Sequence, residues 1–169
     1  LPLVAAPLCV LLRNRHAARG LAVLVSWLAL AIACTLLSQV QDVGVISYKL
    51  GGWAPPLGIE YRIDLLNAYV LVLVASIGAV VFPFGFGTPE QGLREGQQHL
   101  YYAALLLCLC GLLGITITGD AFNVFVFLEI ASLSSYTLIS LGRSRRALTA
   151  GFSYLILGSI GGTFILLGI

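Results

Sequence analysis

Charge is scarce in this sequence. Of its 169 residues, 9% are Asp, Glu, Lys or Arg, against about a quarter in an ordinary soluble domain. That scarcity excludes a soluble globular domain, a disordered chain and a nucleic-acid binder. Methionine is absent altogether, even at position 1, so the expectation is of a chain without its original start. The four cysteines, Cys9, Cys34, Cys108 and Cys110, all stand inside apolar runs. Cys108 and Cys110 would point about 160° apart on a helix, so no disulfide, metal or redox role is expected of them. The two histidines, His16 and His99, fall at the ends of apolar runs. There is no P-loop, no GxGxxG and no nucleophile motif. No catalytic or redox site, metal or cofactor is therefore expected. What the chain has in excess is apolar surface: 59% of the residues are hydrophobic. A single core in water cannot bury that much, so the class is an all-α polytopic membrane protein.

Six apolar runs follow one another, at residues 1–12, 21–40, 65–84, 100–119, 121–141 and 147–169. Each of the last five reaches about 30 Å as a helix, the thickness of the hydrocarbon core. Continuous runs of that length mean helices, not barrel strands. The first run is too short to span and reads as the end of a truncated helix. The last run is still apolar at Ile169, so incompleteness is expected at both ends of a single transmembrane domain.

The few cations are unevenly placed. Arg13, Arg15 and Arg19 follow the first run, Arg94 follows the third, and Arg143, Arg145 and Arg146 follow the fifth. The alternate connections carry only Lys49 and Arg62. Cations in short loops mark the cytoplasmic side, so the N-terminus is expected outside, toward the periplasm or cell exterior; the location expected for the protein as a whole is a bacterial inner membrane. In the long outer connection, Val45–Leu50 and Ile59, Tyr61 and Ile63 carry strand patterns around Gly51, Gly52, Pro55 and Pro56. They predict a short outer β-hairpin, with Trp53 near the headgroups. Residues 85–99 read as an irregular inner loop.

One charge interrupts an apolar run: Glu129. It lies about 13 Å of helix from Asp120 and about 20 Å from Gly142, near the middle of the bilayer. An acidic group there costs on the order of 2.5–3.5 kcal/mol on insertion scales and is by default functional. Its chemistry is to take up a proton and release it. The competing reading is a protonated glutamate that only bonds neighbouring helices. Within about 60° of Glu129 on a helical wheel stand Ser132, Tyr136 and Ser140 on the inner side, and Phe125 and Phe122 on the outer side. That pattern suits a hydrated path from the cytoplasm to the carboxyl, closed outward by phenyl rings. Hydroxyls that merely bond back to their own helix would produce the same sequence. Asp64 and Asp120 each precede an apolar run and read as helix caps, with Asn67 and Asn123 one turn on. Gly158 and Gly162 have the spacing of a close helix contact.

The string GDAFNVFVFLEIASLSSY at residues 119–136 resembles the fifth helix of the ion-translocating subunits shared by Mrp-type cation/proton antiporters and respiratory complex I. LGGWAPPLGI at 50–59, DLLNA at 64–68 and YLILGSIGGT at 154–163 are similar to the loop, third-helix start and sixth helix of the D-type member of the Mrp antiporter subunits. The resemblance implies the N-terminal part of a larger antiporter-like bundle of roughly fourteen helices. It also implies that Glu129 takes part in proton translocation, opposite a lysine on a later, broken helix. Implied partners are other membrane subunits of an antiporter or respiratory complex, the lipid bilayer, H⁺, and Na⁺ or K⁺. The resemblance leaves three functions open. They are a subunit of a Na⁺/H⁺ antiporter, a proton-pumping subunit of an NADH:quinone oxidoreductase or membrane-bound hydrogenase, and a non-transporting structural subunit.

Overall fold

The computed structural model describes residues 1–12, 14–53, 58–84, 93 and 96–169. Arg13, Pro55, Pro56 and Arg94, and most of the expected inner loop at 85–95, lie outside the described residues. Among the described residues there are six α-helices: α1 (Pro2–Leu12), α2 (Arg15–Val43), α3 (Leu65–Phe84), α4 (Gln98–Ile117), α5 (Ala121–Ser140) and α6 (Arg145–Gly168). Five of them are long and apolar enough to cross a membrane; α1 is not. The chain is an integral membrane protein.

The ends of α2 lie beyond the apolar run that announces it. Asn14 caps its start, with its side chain accepting from the His16 N–H. The helix continues past Val40 through Gln41 and Asp42 until Gly44 turns it at φ 85°. A polar residue ends a hydrophobic span but not a helix. Only the loss of the N–H···O ladder does that, and a glycine at positive φ provides it.

Between α2 and α3, β1 (Ile46–Lys49) and β2 (Glu60–Ile63) pair antiparallel, with Ile46 opposite Ile63 and Lys49 opposite Glu60. The hairpin packs on the corner between α4 and α5. Tyr61 bridges Thr118, and the Gly119 N–H donates to the Glu60 carbonyl at 2.9 Å. This contact explains why α4 stops at Ile117, short of the end of its apolar run. At the opposite end of the bundle, Leu93 bridges Gly142, and Arg143 donates through Nε to the Leu93 carbonyl at 2.6 Å. The molecule thus has a hairpin end, with Lys49 and Arg62, and an arginine end, with Arg15, Arg19, Arg143, Arg145 and Arg146.

Helix α4 is the hub, packed against α1, α2, α3 and α5. Small side chains permit the approach: Ala5, Ala6 and Cys9 of α1 meet Ala18 and Ala22 of α2 and Ala103 of α4 around the larger Tyr102, Leu106 and Phe82. Lipid is as apolar as leucine, so backbone proximity and close van der Waals packing drive association in a membrane; alanine-rich seams supply both. Helix α6 lies at the margin. It packs chiefly on α5, and Phe152, Leu157, Phe164 and Leu167 on its other faces are exposed.

Candidate functional site: a carboxyl between the fifth and sixth helices

The α5 segment is a helix whose start is capped by Asp120. Its carboxylate accepts from the Asn123 N–H at 2.9 Å, in an extended residue that satisfies one of the free amide groups of the first turn. Asn123 is buried and donates through its side-chain amide to the Thr118 hydroxyl at 2.8 Å. Asp64 does the same for α3, accepting from the Asn67 N–H at 2.8 Å, while the Asn67 amide reaches the Arg62 carbonyl. Both acidic residues at helix ends are caps in this geometry. Neither lies near the middle of α5.

Two opposite faces of α5 are then engaged. On one, Gly111 and Gly114 of α4 admit the α5 backbone at Ala131 and the Phe127 ring. On the other, Gly151, Gly158 and Gly162 of α6 meet Ser140, Tyr136 and Glu129 in turn. These three glycines lie seven and four residues apart, on one face of their helix. The Tyr136 hydroxyl and the Glu129 carboxylate oxygen Oε1 occupy the spaces that side chains at positions 158 and 162 would need. Tyr136 also stacks on Tyr154 of α6, with ring centroids 6.5 Å apart.

Glu129 is half-buried in this seam. Among the described residues no cation and no hydrogen-bond donor engages its carboxylate. Toward the hairpin end the seam is aromatic: the Phe125 ring lies beside Gly162, and the rings of Phe122 and Phe125 stand 6.3 Å apart. Toward the arginine end it carries hydroxyls. Ser132 donates to the Leu128 carbonyl at 2.7 Å and Ser140 to the Thr137 carbonyl at 2.9 Å, each within its own helix. A serine that donates in this way keeps lone pairs free to accept from water. Ser135, on the α4 side, likewise donates to the Ala131 carbonyl at 2.8 Å and also meets the Cys108 sulfur at 3.5 Å. A separate apolar cavity of about 310 Å³, lined by Ile32, Leu36, Ile63, Leu71, Ile117 and Phe127, lies on the α4 side of α5, away from Glu129.

The residues that the sequence places on one wheel face are thus largely brought together: Phe125, Glu129, Tyr136 and Ser140 all meet α6. The sequence left the partner surface undetermined. Gly158 and Gly162 signal a close contact by their spacing, but nothing in the spacing says that a carboxyl and a phenol fill the gap. The Leu93–Gly142 bridge and the Thr118–Asn123 pair carry no local sequence signal at all.

A bundle of apolar, membrane-length helices with a carboxyl in one interhelical seam defines a polytopic helical membrane subunit. The transmembrane family model described as NADH:quinone oxidoreductase/Mrp antiporter matches residues 118–169, the segment that holds the seam. NADH-quinone oxidoreductase subunit N of Desulforudis audaxviator is 45% identical over 122 residues, 72% of this chain and 24% of that protein. The Staphylococcus epidermidis protein named "Putative antiporter subunit mnhD2" is 32% identical over 170 residues, 100% of this chain and 34% of that one. Among solved structures, the archaeal membrane-bound sulfane sulfur reductase superposes with a TM-score of 0.88 at 31% identity, over 99% of this chain and 34% of that one. The Mrp complex of Dietzia sp. gives 0.87 at 26%, over 99% and 31%. The chain belongs to the transmembrane subunit family shared by NADH:quinone oxidoreductases and Mrp antiporters. It spans about a third or less of the length of the relatives it matches.

Proposed function

We propose that these helices belong to the proton-carrying subunit of a multi-subunit monovalent cation/proton antiporter of the Na⁺/H⁺ type, and that Glu129 is the group that takes up and releases the proton. The observation that carries this reading is the seam itself: a half-buried carboxyl on the α5–α6 contact with no countercharge among the described residues. A group that served only to tie helices together would be expected to bond its neighbours, since an unpaired polar group in hydrocarbon is costly. The match of this whole chain to about a third of a protein named as an antiporter subunit supports the antiporter assignment.

In this reading the proton reaches Glu129 from the arginine end, which is cytoplasmic, along Ser132, Tyr136 and Ser140. The Phe122 and Phe125 rings close the outer side. Water needs two to four polar partners, and hydroxyl oxygens offer them where phenyl rings do not. The proton then leaves sideways to a second intramembrane base. The N-terminus faces outward, and the membrane is a bacterial cell membrane.

A second reading has its own support. The relative that is 45% identical is an oxidoreductase subunit, which favours proton pumping driven by electron transfer on other subunits. One assay separates the two and tests both. In vesicles that hold the intact complex, an antiporter collapses a preset pH gradient when Na⁺ or K⁺ is added, whereas a redox pump builds one only when an electron donor is added. Glu129→Gln should leave assembly intact and remove either activity. Wild-type transport in that variant would sink the proton role and leave a packing glutamate.

A further inference from the structure

We infer that Gly162 is a positioning residue for the Glu129 carboxyl: it is a notch in α6 that holds the proton-carrying group in one place. This rests on the reading of Glu129 just given. A methyl group at position 162 would overlap Oε1 of Glu129, and would stand 3.4 Å from its Cδ and 3.6 Å from Cε2 of Phe125. The adjacent Gly161 has nothing within 4 Å of the same position. The space at 162 is therefore filled by one chemical group, and its neighbour shows that α6 does not need glycine throughout.

The nature of the obstacle decides what a substitution would do. At Gly158 the tyrosine ring intrudes, with Cζ 2.6 Å from the added carbon, and a ring has no short way out. At Gly162 the intruding atom is the far end of a flexible side chain. An alanine there displaces the carboxyl and leaves the helices in contact. Glutamate has three side-chain torsions and, without the notch, a choice of positions along the seam. Proton transfer works at about 2.6–3.2 Å between heavy atoms, or through one water. Displacement of a reacting group by about 1 Å can cost up to about 10²-fold in rate. Fixing the carboxyl against α6 thus sets its distance both to the water path and to the next base.

The test uses the intact complex in vesicles, with subunit assembly quantified for each variant. Two readouts are taken: driven transport, and the rate at which a carbodiimide modifies Glu129. Gly162→Ala should lower transport by about tenfold, within the range for such a displacement, and should raise the labelling rate as Oε1 leaves the cover of α6. Gly161→Ala should change neither. In a Glu129→Asp background, one methylene shorter, Gly162→Ala should have no further effect on either readout. Wild-type behaviour of Gly162→Ala overturns the inference, and so does an alanine effect of equal size in both backgrounds. If Glu129→Asp alone abolishes transport, the labelling rates decide by the same criteria. If Gly162→Ala blocks assembly, recovery of assembly in the aspartate background supports the steric coupling, and failure to recover overturns it. Glu129→Gln separates the two ideas. Full transport in that variant removes the proton carrier itself, whereas lost transport beside a silent Gly162→Ala removes only the notch.

Discussion

Asp120 and Asp64 stand at equivalent places, each closing the first turn of a helix at the hairpin end. Their carboxylates accept from backbone N–H groups three residues on, so their service is to the helix and its dipole. Asparagine can accept the same bond through its amide oxygen. Asp120→Asn is therefore expected to keep both the thermal stability of the detergent-solubilised complex and its transport. Asp120→Ala is expected to cost about 1 kcal/mol, seen as a lowered melting temperature with transport per assembled complex unchanged. Lost transport in a fully assembled Asp120→Asn complex would show that its charge is needed, and would move Asp120 from cap to proton path. Glu129 differs from these two in kind. It lies nine residues into the helix, where every backbone group is already paired, so its carboxyl has no local amide to cap.

Helix α5 is held between two glycine-bearing surfaces, and they are not interchangeable. On the α4 side a methyl at Gly111 would stand 2.6 Å from the Ala131 nitrogen and 2.7 Å from the Phe127 carbonyl oxygen. Those are backbone atoms, which cannot rotate away, so the helices would have to part. Gly111→Ala should destabilise the α4–α5 pair by about 1–3 kcal/mol, the usual scale of overpacking. Gly20→Ala, at a position with nothing within 4 Å, should be neutral or slightly stabilising, since alanine favours a helix over glycine by about 1 kcal/mol. Denaturation of the purified subunit in mixed detergent would compare the two. Equal stability of both variants would mean that α4 and α5 can slide past each other, and that their contact does not fix the direction of the Glu129 face.

For the whole molecule the distribution of charge gives a two-sided object. Arg15, Arg19, Arg143, Arg145 and Arg146 gather at one end, and Lys49 and Arg62 at the other. The two β-bridges lock those ends separately, Tyr61 to Thr118 at the hairpin end and Leu93 to Gly142 at the arginine end. Single cysteines placed at Ser144 and at Gly52 should report opposite sides of the membrane, with Ser144 labelled only when reagent reaches the cytoplasm. The same side for both, or the reverse assignment, would overturn the orientation and with it the inward direction of the proton path.

Periodicity and charge were enough for several features. The apolar runs marked five spanning helices because each run matches the bilayer thickness, a length that soluble helices have no reason to keep. The alternation around Tyr61 marked β2, and the isolated Glu129 marked the candidate site, because an unpaired charge in hydrocarbon is too costly to be incidental. Asp64 and Asp120 were legible as caps for the same local reason: a cap acts within one turn. The rest depended on contacts between segments distant in sequence. The extension of α2 to Val43, the end of α4 at Ile117 and the seating of the hairpin on Gly119 follow from a turn geometry or a bridge that no run of hydropathy encodes. The notch at Gly162 is the clearest case. Glu129 and Gly162 stand 33 positions apart (162 − 129), and each alone has an ordinary explanation. Packing α5 against α6 puts a carboxylate oxygen where a side chain would be, since a close helix contact leaves no other room for it.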